Sequence, residues 1–209
     1  LANETSKAMK RGDPTIETVA AGSSTPHLSS YPEWDRTVLM HCYDNVDFLS
    51  LHNYINRSQD EDLAQDKKRA PDDIATYLSR AMAFDRQIKE VIATCDYVKA
   101  VKRSRKTMYI AFDEWNVHRP PERPYEQWPT ASPIDWCHFD MADTLLFSGM
   151  LLSILRHADR IKIACQSLLV NTIPLMLTNT GGEAWVNPTY YPMLHASLFG
   201  RGTLMHSTL

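Results

Sequence analysis

The chain has 209 residues, 44% of them hydrophobic and 22% charged, and a formal net charge of −3. That is the balance of an ordinary globular protein with one sizeable core. No run of eighteen apolar residues is present to span a membrane. The one basic cluster, Lys99 to Lys106, fits a solvated helix C-terminus better than a nucleic-acid footprint.

Residues 2–10 are helix formers, closed by Gly12 and Asp13-Pro14. Ile16 to Ala21 reads as a short buried strand ending at Gly22-Ser23-Ser24. Pro32 precedes a helix from Glu33 to about Tyr43, whose apolar face would be Trp34, Val38 and Cys42. Val46 to Tyr54 is the next strand, and 56–70 a long polar loop. A helical stretch runs from Pro71 to about Ser104. An irregularity is expected near Phe84-Asp85, because so long a single helix is unusual in a globular domain. Thr107 to Asn116 (TMYIAFDEWN) is a strand of β-branched, aromatic and apolar residues that ends in two carboxylates. Five prolines between 117 and 136 mark a loop over a pocket. Asp140 to Ala158 is an apolar helix, Ile161 to Val170 a further strand, Gly181-Gly182 a turn, and Tyr190 to Phe199 a last helix.

Helix and strand therefore alternate, which argues for parallel βαβ units. Four such strands are half of an eight-stranded barrel, so the expected fold class is α/β, a partial (β/α)8 barrel. A doubly wound open sheet is the alternative, although no GxGxxG follows any strand. The four cysteines show no paired CxxC spacing, so no zinc is expected. Cys42, Cys95 and Cys165 lie on apolar stretches and read as buried free thiols. No His/Asp/Glu cluster at ligand spacing suggests a metal. The chain opens at Leu1 within a helical stretch, as a piece of a longer polypeptide would.

Parallel α/β barrels carry their chemistry at the C-terminal strand ends. Those ends present Gly22, Ser23 and Ser24; then His52, Asn53 and Tyr54; then Glu114; then Gln166, Leu168 and Asn171. By strand alternation Glu114 shares a face with Phe112 and Ile110, while Asp113 shares the other with Ala111 and Trp115. A carboxylate, a histidine, a tyrosine and amides make a polar cup suited to a sugar. Tyr54 could donate to Glu114 and hold it ionised, as a nucleophile requires. The plainer reading is a solvated turn carboxylate beside a satisfied core His and Tyr.

Four separated stretches carry a resemblance: YPEWDRTVLMHCYDNVDFLSLHNY, KTMYIAFDEWNV, HADRIKIACQSLLVNTIP and GGEAWVNPTYYPMLHAS. Together they resemble the family 51 α-L-arabinofuranosidases from about Ser6 to Ser197. The resemblance implies strands five to eight of the catalytic barrel over residues 1–209, with the upstream half and a C-terminal β-sandwich absent. It implies a retaining hydrolysis of terminal α-L-arabinofuranosyl groups, with no cofactor. Glu114 matches the nucleophile and Tyr54 the tyrosine that contacts it. His52 lines the same site, and Asn116, Trp115 and Gln166 are candidates for substrate or supporting contacts. Partners would be an arabinofuranosyl-containing carbohydrate and, in the full-length enzyme, further copies of itself.

This sequence departs from the family pattern in three places. The acid/base of the family lies in a G-N-E motif that does not occur here, and Asn3-Glu4 falls on the following helix, so Glu4 is not assigned that role. His118 stands where a tryptophan is frequent, and Leu168 where a glutamine is frequent. A xylosidase or endoglucanase of the same barrel type remains an alternative. So does an inactive half-barrel, whose open strand edges would favour self-association.

Overall fold

The computed structural model describes residues 1–56, 73–119, 137–203 and 205. The polar loop expected after Asn56 and most of the Pro-rich stretch lie outside the described residues. The elements run α1 (Ala2–Gly12), β1 (Val19–Ala20), α2 (Glu33–Cys42), β2 (Phe48–Asn56), α3 (Ile74–Val101) and β3 (Tyr109–His118). There follow α4 (Met141–Arg156), β4 (Ile161–Gln166), β5 (Met176–Thr178), β6 (Ala184–Val186) and α5 (Tyr190–Phe199). The first four strands form one sheet in chain order, β1-β2-β3-β4, and β1 pairs with β2 in parallel. A doubly wound sheet reverses its strand order about a switch point. No reversal occurs among these four strands, and the α/β class stands. No helix among the described residues is long and apolar enough to cross a membrane.

Four local expectations are corrected. α3 runs unbroken through Phe84-Asp85. Phe84, Ile88, Val91, Cys95 and Val98 recur every three or four residues and are all fully buried, so a continuous apolar stripe keeps the helix regular. On α2 the buried residues are Asp35, Leu39 and Cys42, while Trp34 is 49% exposed. The helix is rotated from the expected face because the Asp35 carboxylate is drawn inward to Ser23, and Trp34 donates its indole N–H to Ala21 O at 3.1 Å. Cys165 is exposed, on a strand of which only Ile161 is buried, whereas Cys137 is buried. Where only a turn is legible at Gly181-Gly182, a hairpin forms: β5 and β6 pair antiparallel, Leu177 opposite Trp185. Gly181 has φ +67, the left-handed conformation that glycine adopts without strain.

The chain divides into two compact units, each including parts of several strands. The first comprises Leu1–Asn53, Ala83–Trp115 and Arg156–Cys165. Its core is built from the α3 stripe and the apolar starts of β2 and β3, with Leu49, Leu51, Ile110 and Phe112 essentially inaccessible. Polar pins hold its base: Tyr43 donates to Lys106 O at 3.1 Å, and Arg160 grips Asp96 with two bonds of 2.9 Å. The second comprises Tyr54–Met82, Asn116–Leu155 and Gln166–Leu209. There α4 buries Leu146, Phe147, Met150 and Ile154. Gly149 lets α4 approach α3 so closely that a Cβ at that position would stand 2.8 Å from Ala81 Cβ. Arg119 donates to Asp143 Oδ2 at 2.6 Å, and Tyr77 to the other oxygen of the same carboxylate at 2.9 Å. Asn187 is 2% exposed and bonds Cys137 O, Pro174 O and the backbone N–H of Phe139, tying three segments together.

Candidate active site

In the first unit the polar residues gather on the C-terminal parts of β1, β2 and β3. Gly22 follows β1 in close contact with β2. A Cβ there would meet Ser50 O at 2.1 Å, so only glycine fits. Ser23 comes next. Its backbone N–H and hydroxyl both donate to Asp35, at 2.7 and 2.8 Å. Burial pushes the Asp35 carboxyl up, opposed by those two bonds. Ser23 O in turn accepts from the backbone N–H of His52 at 3.4 Å. From the other side α3 supplies Gln87, which is buried. It accepts from Asn53 Nδ2 at 2.6 Å and donates to His52 O at 3.3 Å. The backbone carrying His52 is thus held on both edges.

The imidazole of His52 lies between two carboxylates. Nε2 is 3.3 Å from Asp113 Oδ1, and Nδ1 is 3.5 Å from Glu114 Oε2. Adjacent residues of a regular strand face opposite sides. Here they do not, and the expectation that Asp113 and Glu114 lie on opposite faces is corrected. Phe112 stacks on Phe84 of α3 at 4.8 Å between ring centroids, and Trp115 lies beside the same ring at 6.5 Å. Residues 112 and 115 therefore point to α3, and 113 and 114 to His52. The burial of β3 has the same rhythm: 113 and 114 are both partly exposed between fully buried neighbours. Asp113 and Glu114 keep 39% and 47% of their side-chain surface, while His52 keeps 27%.

Asp113 Oδ1 itself is buried and makes no hydrogen bond among the described residues. His52 Nε2 approaches it at 3.3 Å without forming a hydrogen bond.

The other predicted residues are placed as follows. Trp115 is 1% exposed and belongs to the packed wall against Phe84. Tyr54, Asn116 and Gln166 fall in the second unit. Tyr54 stands edge-on to His118, whose Nδ1 is 2.7 Å from Asn56 Oδ1. Burial pushes the His118 ring down, toward the neutral form. Asn116 is fully buried, and its amide nitrogen donates to Ser167 O at 2.5 Å and Ile173 O at 2.7 Å. Gln166 donates to Leu168 O and Ile173 O. Both amides therefore hold the segment after β4, where Asn171 and Ile173 have φ of 68 and 41. A β-branched residue in that region is strained, and two donors converging on its carbonyl fix it there. Asn171 caps the same segment, accepting from Thr178 N at 2.8 Å. Asp113 is the residue that the sequence displays but whose direction pairwise alternation hides. Glu4, by contrast, is a surface carboxylate 2.9 Å from Lys7, and that hydrogen bond holds it below the usual carboxylate range.

Residues 113–209 match the family model described as the α-L-arabinofuranosidase C-terminal domain. The whole chain is 42% identical to an intracellular exo-α-(1→5)-L-arabinofuranosidase of Halalkalibacterium halodurans and covers 40% of it. It is 44% identical, over 97% of its length, to an intracellular exo-α-(1→5)-L-arabinofuranosidase of Bacillus subtilis, of which it covers 39%. Among solved structures, a family 51 α-L-arabinofuranosidase from Bifidobacterium longum superposes with a TM-score of 0.83 at 26% identity, over 96% of this chain and 40% of the other. The chain thus spans about 40% of the length of the curated relatives it matches.

Proposed function

We propose that this chain, 42% identical to one curated arabinofuranosidase and similar in fold to a family 51 enzyme, is of the family 51 α-L-arabinofuranosidases and forms the nucleophile-bearing part of an enzyme that hydrolyses terminal α-L-arabinofuranosyl groups with retained configuration. β1 to β4 would be strands five to eight of the (β/α)8 barrel. The observation that carries the reading is Glu114. It is half exposed beside a partly exposed Asp113, on a strand otherwise buried at 110–112 and 115–117, and an imidazole nitrogen lies 3.5 Å from its carboxylate. Glu114 attacks the anomeric carbon and forms a glycosyl ester, which water then opens. Tyr54, two residues beyond His52 on β2, keeps the supporting role that the resemblance gives it. Asn116 and Gln166 support the segment after β4.

Retaining glycosidases need a second carboxylate about 5 Å from the nucleophile to protonate the leaving group. Glu4 does not suit that task. A general acid must hold its proton at working pH, and Glu4 is exposed, paired with Lys7 and shifted the other way. On this reading the acid/base comes from outside these residues. The names of the two curated relatives direct the first natural-substrate tests to α-(1→5)-linked arabinofuranosyl oligosaccharides.

The test is an aryl α-L-arabinofuranoside with a very good leaving group, with and without azide, followed by intact mass. Such a substrate needs little acid assistance. An arabinosyl adduct on Glu114, or azide-dependent turnover lost in Glu114→Ala, is the expected result. Full turnover without azide would place an acid/base within this chain. Neither adduct nor turnover in a folded sample would favour an inactive fragment.

A further inference from the structure

We infer that Asp113 is a positioning residue that acts on Glu114 through the His52 imidazole. The inference rests on the reading of Glu114 as nucleophile and goes beyond it, because Asp113 has no part in that chemistry as described above.

Three observations carry it. First, Asp113 and Glu114, successive residues of β3, are both partly exposed between buried neighbours and both approach the one imidazole. Second, His52 meets each carboxylate through a different ring nitrogen, at 3.3 and 3.5 Å. The backbone carrying the ring is pinned by Ser23 and Gln87, which keeps the imidazole between the two carboxylates. Third, Asp113 Oδ1 is buried without a hydrogen bond among the described residues, so the facing Nε2 is the polar group within its reach. A buried carboxylate oxygen left in that state is unfavourable unless a donor turns to meet it.

The geometry gives His52 two anionic neighbours and a choice between them. A neutral imidazole has one N–H and can satisfy one carboxylate at a time. While Glu114 is ionised, its Oε2 competes for the donor. Once Glu114 carries a glycosyl ester its negative charge is gone, and Asp113 is the remaining anion at the ring. Asp113 thus keeps His52 oriented when the nucleophile no longer can, so that the ring is in place when Glu114 is released. No proton or bond changes hands in this role. It is an orienting charge, and its loss should slow the reaction more than it weakens binding.

The experiment compares the unmodified protein with Asp113→Asn and Asp113→Ala, and has two arms. In the first, the rate of adduct formation on Glu114 is followed by intact mass over a range of concentrations of the activated aryl arabinofuranoside. Both variants should label roughly 10- to 100-fold more slowly at saturation, with the half-saturating concentration moved by no more than about twofold. In the second, the ring nitrogens of His52 are followed by long-range 1H–15N NMR, which reads tautomer and donor state without substrate. Asp113→Asn, which keeps the side-chain shape, should move the Nε2 resonance. Unchanged His52 resonances, or labelling as fast as in the unmodified protein, would overturn the inference. Failure of the unmodified protein to label would overturn the functional reading instead, and the NMR arm would still decide whether Asp113 governs His52.

Discussion

Gly22→Ala is the substitution whose effect follows most directly from the structure. The added Cβ would lie 2.1 Å from Ser50 O, 2.9 Å from Asp35 Oδ1 and 3.1 Å from Leu49 Cγ. The first of these is backbone of β2, which no rotamer change can move. Relief requires the end of β1 to shift by roughly 1 Å to restore van der Waals distance. That shift stretches the two Ser23–Asp35 bonds and the contact from His52 N to Ser23 O. Overpacking costs about 1–3 kcal/mol, and each weakened hydrogen bond about 0.5–1.5 kcal/mol. A destabilisation of about 3–5 kcal/mol is expected, a fall in Tm of roughly 10 °C for a chain of this size. Urea unfolding followed by tryptophan fluorescence and a thermal scan measure it. A Tm within about 2 °C of the unmodified protein would refute the close approach of β1 and β2 at Gly22, and with it the account of how Ser23 and His52 are held.

Three further outcomes are expected. Asn116→Ala removes the donors to Ser167 O and Ile173 O. It should cost about 1–3 kcal/mol and raise hydrogen exchange and proteolysis selectively between 167 and 175; protection unchanged there would sink the tethering role. Gly149→Ala places a methyl 2.8 Å from Ala81 Cβ. The net loss should be about 1–2 kcal/mol, since overpacking outweighs the roughly 1 kcal/mol that alanine gains over glycine in a helix; a stabilised variant would contradict the helix contact. Asp85 makes a pH-dependent contribution. Burial raises its carboxyl, but bonds from Lys89 and His157 outweigh that and leave it below its ordinary value. A depressed folded-state pKa gives stability that is present above the unfolded value of about 4 and lost as pH falls through the folded one. Urea midpoints should therefore fall below about pH 4, and the fall should be shallower in Asp85→Asn; equal slopes in the two proteins would exclude the linkage.

Much of this protein is legible in its residues alone. The turn chemistry at Asp13-Pro14 and the helical spacing through α1, α2, α4 and α5 place those elements within a few residues of where they form. The alternation of helix and strand carries the α/β class, and FDEWN and HNY carry the candidate nucleophile and its neighbours. These are local signals. Backbone propensity and periodic burial act within a few residues, so they survive in a one-dimensional reading. What fails is of another kind. The three-residue strands β5 and β6 are too short to show a period, and α2 turns an aspartate inward because Ser23, twelve residues earlier, is there to receive it.

The site depends most on that longer range. Nothing in the order Asp-Glu says that both carboxylates face one histidine, because alternation assigns them to opposite sides. Phe112 and Trp115 both pack on the same ring of α3, while Asp113 and Glu114 both approach His52. Likewise Asn116 reads as a polar residue beside a nucleophile, and its burial on two loop carbonyls appears only when β3 meets the segment after β4. The sequence by itself determined which side chains are available and on which elements they ride. The tertiary structure decided which way they point, because side-chain direction at a close strand contact is set by neighbours distant in the chain rather than by the residue's own backbone preference.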